Sequence, residues 1–283
     1  MATYLNDDAI CLRVHDFSET SQVVGLFTRA HGMVSLIAKG VKRESKKGVV
    51  SGPLDLLTSG EVVFVPSRGA AELGTLAAWE LADHRAGLRK NLAGLNAAML
   101  CAEVTGMLVQ AQDPHAELYG ELEATLGLLA GPQRARATLA YVKAALVGAG
   151  YAPQLGGCLT CGRGLSDGPV RFSARAGGFV CGTCVLEGGG TVIQVAGRIV
   201  AALARLELPS VLAARPPEKA GDAAAQALAM GLLLAQVEAV TDRGVKTRYL
   251  LGSIFGQGRG QGMKGQGGEV TEASTGKAEG KGG

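Results

Sequence analysis

Short runs in which hydrophobic and polar residues alternate dominate the first 80 residues of the chain. The alternation is clearest over residues 9–14, where Ile10, Leu12 and Val14 fall on one face of a predicted strand. Comparable runs occupy residues 22–28, 33–38, 54–57, 61–66 and 72–79. Five or six short strands within about 75 residues predict a small closed barrel, and an OB-fold is the expected type.

From Leu88 onward the hydrophobic spacing changes to that of helices. Leucine, valine or methionine recurs every three or four residues over 88–99, 118–129 and 139–146. Residues 195–206, 223–240 and 245–255 are also predicted to be helical. The apolar run 223–235 is too short to cross a bilayer, so we interpret these stripes as faces of a buried core. The predicted fold class is therefore α+β, a barrel followed by an α-helical domain.

Two CxxC pairs interrupt the helical region. Nineteen residues separate the pair Cys158 and Cys161 from the pair Cys181 and Cys184. Each CxxC turn directs two sulfurs toward one point, and the intervening residues form a small ribbon that brings the two turns together. Two such pairs at this spacing are typical of one structural, four-thiolate zinc site per chain.

Gly162 and Gly182 each follow a cysteine of these pairs, where we expect them to let the backbone curl under the metal. Two disulfides, or one redox-active CxxC pair, are the alternatives. The acidic N-terminus lacks the apolar segment of a signal peptide, so we expect a cytoplasmic protein. Zinc is favoured over disulfides in that compartment.

The net charge of +3 is too small to indicate nucleic-acid binding by itself, but the bases are clustered. Five of them lie within residues 39–47: Lys39, Lys42, Arg43, Lys46 and Lys47. This segment falls between predicted strands, and OB-fold loops commonly bind single strands through cationic grooves and stacking aromatics. Phe17, Phe27 and Phe64 are the candidate stacking residues. A solvated loop without a ligand is the alternative.

A smaller basic group near the C-terminus consists of Arg243, Lys246 and Arg248. It is a possible secondary DNA-binding site, although basic residues at a helix end also satisfy the last carbonyl groups. The histidines are scattered, and the chain has no P-loop, no dinucleotide-binding glycine motif and no HExxH. We therefore expect neither enzyme activity nor a small-molecule substrate.

These patterns divide the chain into four parts. They are a DNA-binding OB-fold at 1–82, a helical domain at 83–155 and 188–255, an inserted zinc ribbon at 156–187 and a glycine-rich tail at 256–283. The tail has almost no large apolar residues, so we expect it to be disordered and dispensable for folding and function.

Several stretches resemble the bacterial recombination mediator family RecO. The segment AKGVKR at 38–43 is similar to the family's AKGARR, and KTRYL at 246–250 is similar to its KSRRFL ending. Residues 17–32 resemble its early strand–turn–strand segment, while 150–162 and 172–181 resemble the two halves of its zinc site. The chain departs from the family in its low aromatic content, its glycine-rich tail and Thr247-Arg248-Tyr249 where paired arginines are common.

This resemblance implies a cytoplasmic, nucleoid-associated protein of DNA repair and recombination. It implies binding of single- and double-stranded DNA, annealing of complementary strands, and partnership with RecR and with single-stranded-DNA-binding protein so that RecA can load. No membrane is implied. A zinc-ribbon adaptor that binds only proteins, or a thiol-redox protein that uses CxxC, are the alternatives.

Overall fold

The computed structural model describes residues 3–42, 52–67, 73–165, 168–185, 192–215 and 222–256. The predicted tail and three of the predicted DNA-binding residues, Arg43, Lys46 and Lys47, lie outside these residues. Five strands form the N-terminal part: β1 Leu5–Asp16, β2 Gln22–Thr28, β3 Gly32–Ala38, β4 Ser59–Val65 and β5 Gly74–Asp83.

The five strands close into a barrel with the order β1-β2-β3-β5-β4. Closure depends on a short parallel pairing of β3 with β5, in which Leu36 lies opposite Gly74 and Ile37 opposite Thr75. The other four pairings are antiparallel. This is the five-stranded OB-type barrel that the sequence predicted.

A β-bulge between Cys11 and Arg13 reverses the alternation of β1. Before the bulge, Cys11 points into the barrel and Ile10 points outward into the helical core. Beyond the bulge, Val14 packs against the barrel interior and Arg13 faces outward. The prediction that Ile10 and Val14 share a face is therefore wrong, because a one-residue bulge exchanges the two faces of a strand.

The segment predicted as a strand at 54–57 is a turn. Leu57 has a left-handed φ of 65°, and its backbone N–H donates to the Cys11 carbonyl at 2.7 Å. The Gln22 side chain accepts from the Leu54 N–H at 3.0 Å. Leu54 and Leu57 are both buried, so tertiary packing and not a place in a strand accounts for the apolar residues of this segment.

Eight α-helices and one 3-10 helix are found in the described part of the remaining chain. They are α1 Ala86–Arg89, α2 Leu92–Leu108, α3 Ala116–Leu128, α4 Arg134–Gly148, α5 Gly197–Ala204, α6 Pro209–Ala213, α7 Ala223–Thr241, the 3-10 helix Lys246–Leu250 and α8 Leu251–Ile254. Their apolar faces form one core, confirming the helical domain. The Tyr141 hydroxyl is hydrogen-bonded to Thr105 inside it, which pairs α4 with α2.

Helix α7 is longer than the apolar run that the sequence indicated. By length and composition alone its 19 residues could cross a membrane, which corrects the argument from the shorter run. However, Met230, Leu233 and Leu234 are almost completely buried in the protein core. This burial is typical of the central helix of a folded domain.

A second, three-stranded sheet lies between α4 and α5 in the chain. Its strands are β6 Pro169–Ser173, β7 Gly178–Val180 and β8 Val192–Ala196, in the order β7-β6-β8. Val195 was predicted to begin a helix, but it pairs with Val170 in this sheet, and α5 begins at Gly197. The domain boundaries drawn from the sequence stay predictions.

Gln236 of α7 connects this sheet to the helical core. Its buried side-chain amide donates to the Tyr151 carbonyl at 2.8 Å. Gly177, in the β6–β7 turn, has a φ of +65°, and a Cβ there would lie 2.6 Å from Gln236 Nε2. The turn thus lies against the Gln236 side chain, and its left-handed backbone favours glycine.

The linker between α2 and α3 covers part of the edge of β3. Gln112 donates its backbone N–H to the Met33 carbonyl at 3.2 Å, and Gly32 and Met33 both bridge to Ala111. Gly32 has a φ of +66°, and a Cβ there would lie 2.1 Å from the Asp113 carbonyl oxygen. The barrel and the helical domain are therefore in backbone contact at this point.

Gly32→Ala should destabilise the protein by about 2–4 kcal/mol, because both the left-handed backbone and the Asp113 contact oppose a side chain. The matched control is Gly40→Ala. Gly40 has a similar φ of +70°, but among the described residues no atom lies within 4 Å of its added Cβ. This change should cost only about 1 kcal/mol. Urea unfolding of both variants measures the difference, and equal losses would contradict a tight linker contact.

Candidate functional site

The two CxxC pairs come together at one point. The Sγ atoms of Cys158, Cys161, Cys181 and Cys184 all lie within 4.8 Å of one another, and those of Cys161 and Cys181 are 4.0 Å apart. Tetrahedral zinc with Zn–S bonds of about 2.3 Å requires sulfurs about 3.8 Å apart. No disulfide joins any of these cysteines. The donor set therefore fits a metal ion, as the spacing predicted.

Backbone hydrogen bonds form the first cysteine turn. The Gly162 N–H donates to the Cys158 carbonyl at 2.9 Å, and the Cys158 N–H donates to the Arg163 carbonyl at 2.8 Å. Gly162 has a φ of +71°, which confirms the expected curl. Gly182 does not have a positive φ, and its added Cβ would be 3.9 Å from the nearest carbonyl oxygen. The expectation that Gly182 also lets the backbone curl through a conformation special to glycine is wrong.

Arg171 of β6 holds the second cysteine turn, which runs from Cys181 to Cys184. Its guanidinium donates to the carbonyl oxygens of both Cys181 and Cys184, the former at 3.1 Å. The Leu159 N–H donates to the Phe179 carbonyl at 2.8 Å, which ties the first turn to β7. The sheet thereby positions both turns.

Hydrogen bonding changes the acidity of these thiols in different directions. The Thr183 hydroxyl, 3.2 Å from the sulfur, lowers the pKa of Cys181 to about 5. The Cys181 N–H lowers the pKa of Cys158 to about 7. Cys184 shares hydrogen bonds with the sulfurs of Cys181 and Cys161, which raise its pKa to about 12. The Cys181 thiolate, the form that binds metals, is thus favoured near neutral pH.

The described part of the basic segment lies against the β1–β2 loop. Lys42 donates its N–H to the Thr20 carbonyl, and its Nζ is 2.6 Å from an Asp16 carboxylate oxygen. That hydrogen bond lowers the pKa of Asp16. Lys39 is exposed. Lys39 and Lys42 therefore reach one end of the barrel together, with part of the Lys42 charge already compensated.

The outer face of β1, β2 and β3 carries two residues that the sequence reasoning missed, Arg13 and His15. Beyond the bulge, Arg13, His15 and Phe17 alternate outward and are all exposed, with Phe17 64% exposed. The pairing places Arg13 opposite Gly25, which is opposite Ser35, and the exposed Lys39 follows the last residue of β3. This stripe follows from a period of two only when it is counted from the bulge, and the sequence does not mark the bulge. We call Arg13, His15, Phe17 and Lys39 the barrel face.

Two of the three predicted stacking aromatics are not available. Phe27 is fully buried against the helical core, with its ring 5.7 Å from that of Tyr119, and Phe64 is buried inside the barrel. The predictions for Phe27 and Phe64 are wrong because both alternate toward apolar interiors. Phe17 keeps its candidate role.

The C-terminal basic group is partly engaged in internal contacts. Arg248 lies 2.8 Å from a Glu238 carboxylate oxygen, whereas Arg243 and Lys246 are exposed. Two histidines hold turns: His31 Nδ1 lies 2.8 Å from Asp7 and His115 Nε2 lies 3.1 Å from its neighbour Asp113. The DNA-binding assignments stay predictions.

Comparison with known proteins identifies the same family twice. Residues 1–85 match the family model described as "Recombination protein O N terminal", and residues 89–227 match "Recombination protein O C terminal". The DNA repair protein RecO of Anaeromyxobacter dehalogenans (strain 2CP-C) is 34% identical over 220 residues, 77% of this chain and 85% of that protein. The DNA repair protein RecO of Rhodopirellula baltica is 35% identical over 179 residues, 62% of this chain and 65% of that protein.

Cys181→Ser should reduce the metal content well below the one ion per chain expected of the parent, because a hydroxyl is a poor substitute for a thiolate ligand. The barrel should stay folded. The matched control is Cys11→Ala, which removes a sulfur outside the cluster and should retain the metal. Elemental analysis after gel filtration measures both. A parent chain without metal, with four titratable thiols in reducing buffer, would contradict the assignment.

Proposed function

The chain belongs to the RecO family of recombination proteins, and on that basis we propose that it is a DNA-binding recombination mediator of the RecF pathway. It binds single- and double-stranded DNA, anneals complementary strands and helps RecA load onto DNA coated with single-stranded-DNA-binding protein. It acts without covalent catalysis, in the cytoplasm and at the nucleoid. RecR and single-stranded-DNA-binding protein are its protein partners.

The observation that carries this proposal is the barrel face. Strands 2 and 3 of an OB-fold and the loop between strands 1 and 2 are the usual site of oligonucleotide binding. Here that region carries the exposed aromatic ring of Phe17 and the exposed cations Arg13 and Lys39. A stacking ring next to phosphate-binding cations is the arrangement that non-sequence-specific single-strand binding requires.

We propose that the bound metal is zinc and that its role is structural. Four sulfur donors leave no open coordination position for water or substrate, so the ion would fold the ribbon and take no part in a reaction. The same clustering disfavours a thiol-redox function, because neither pair lies at the start of a helix as redox CxxC pairs do.

Phe17→Ala should weaken binding of an oligothymidine strand by about fivefold to 100-fold, the range expected for loss of one stacked base. Tyr4→Ala is the matched control, because Tyr4 is similarly exposed, at 63%, but precedes β1. Fluorescence anisotropy at several salt concentrations gives the affinity and the salt slope, which is the slope of log affinity against log salt concentration. The Phe17 change should leave the slope unchanged, while Lys39→Ala with Lys42→Ala should reduce it by about 1.4. Equal effects at Phe17 and Tyr4 would move the site elsewhere.

The mediator function itself is tested by annealing. The parent chain should accelerate annealing of complementary strands that are pre-coated with single-stranded-DNA-binding protein, and Phe17→Ala should accelerate it several-fold less. A chain that stops after Gly256 should perform like the parent, because the tail offers no aromatic residues for stacking. Absence of annealing with retained binding to RecR would instead favour a protein-binding adaptor.

A further inference from the structure

Tyr249 is an exposed aromatic residue on an ordered segment. It lies in the 3-10 helix Lys246–Leu250, and 81% of its surface is accessible to solvent. In a 3-10 helix the side chains at positions i and i+3 lie above one another, so Lys246 and Tyr249 share a face. We call residues 242–250 the C-terminal loop.

Two glutamates hold this loop in place. Glu103 of α2 accepts the backbone N–H of Lys246 and of Thr247, each at 2.8 Å. Glu238 of α7 accepts the Val245 N–H at 3.0 Å and a charge-assisted bond from Arg248 at 2.8 Å. Glu238 is paired with Arg248 and Glu103 accepts backbone donors, so in the described part of the chain neither carboxylate forms an assigned ion pair with the two cations at the loop surface.

Those two cations are Arg243 and Lys246. Both are exposed, and within the described part of the chain neither side chain is assigned an ion pair. Arg243 lines a cleft of about 490 Å³ together with Met107, in the last turn of α2. Lys246 lies beside Glu103, one turn earlier on the same helix. The loop thus presents its charges along the C-terminal half of α2.

The same part of α2 also contacts the barrel face. The Arg13 guanidinium donates to the Gly106 carbonyl at 3.0 Å, and a Cβ at Gly106 would lie 2.5 Å from it. Glu103 and Gly106 are three residues apart, which makes them neighbours on a helix surface. The barrel face and the C-terminal loop are therefore attached to adjacent positions of α2.

We propose that the C-terminal loop continues the nucleic-acid-binding surface of the barrel face. A single strand that leaves Phe17 and Arg13 crosses α2 and reaches the loop, where Arg243 and Lys246 contact phosphates and Tyr249 stacks on a base. Glu103 and Glu238 are positioning residues. The inference rests on the proposed DNA binding and extends it to a second stacking residue.

Tyr249→Ala tests the proposal without disturbing the fold, because the side chain is so exposed. We expect about a fivefold to 100-fold loss of affinity for an oligothymidine strand long enough to span both surfaces, with an unchanged salt slope. Tyr249→Phe should retain the parent affinity. Arg243→Ala with Lys246→Ala should lower the slope by about 1.4. An oligonucleotide that carries 5-iodouracil should photo-crosslink to Tyr249 and not to Tyr4.

The outcomes separate this proposal from the proposed function. If the parent binds no DNA, the mediator function fails as well. If the parent binds and Phe17→Ala weakens binding, but Tyr249→Ala stays within twofold of the parent and no crosslink forms at Tyr249, only the loop proposal is overturned. If Tyr249→Ala leaves DNA binding unchanged but weakens binding of an aspartate-rich peptide, the loop is a protein-binding surface. That result also overturns the loop proposal.

Discussion

Helix α2 must be covered on almost every side, and the rest of the fold is arranged to do this. Its interior positions are mostly small or apolar, and Gly94 approaches so closely that an added Cβ would lie 2.6 Å from the Leu129 carbonyl oxygen. Thr105 on the same helix is hydrogen-bonded to Tyr141 of α4. Small residues let neighbouring backbones come within van der Waals contact, so α4, the C-terminal loop and the outer surface of the barrel all pack on one helix. The elements that carry functional side chains are thereby attached to a common support.

Much of this architecture could be predicted from spacing alone. The alternating runs predicted an OB-type barrel, the leucine stripes predicted the helices, and the cysteine spacing predicted a cluster that fits a metal. Each of these patterns reflects a local requirement that recurs along the chain. The requirement is one buried face for a strand or helix, and two metal ligands for a cysteine pair. The turn at Leu57 and the strand that contains Val195 were missed, because burial by tertiary packing creates the same apolar pattern in either structure.

The barrel face shows why charge composition was a weaker guide than geometry to the candidate DNA-binding residues. The cluster of bases at 39–47 was visible in the sequence, whereas Arg13 and His15 were not singled out. They face outward only because one bulged residue exchanges the two sides of β1, and no residue type marks that bulge. Phe27 and Phe17 likewise differ in environment and not in chemistry. Which aromatic ring is exposed is decided by strand register, a property of two paired strands together.

The position of the cysteine ribbon has a consequence for assembly of the helical core. Helices α4 and α7 pack against each other, but the ribbon and two short helices separate them in the chain. Joining two ends through a long flexible linker costs entropy that grows with the logarithm of its length. A ribbon closed by a metal shortens the effective linker, and its turn at Gly177 rests against Gln236 of α7. A metal bound there would therefore lower the entropic cost of docking the last long helix, although that helix supplies none of the four sulfurs.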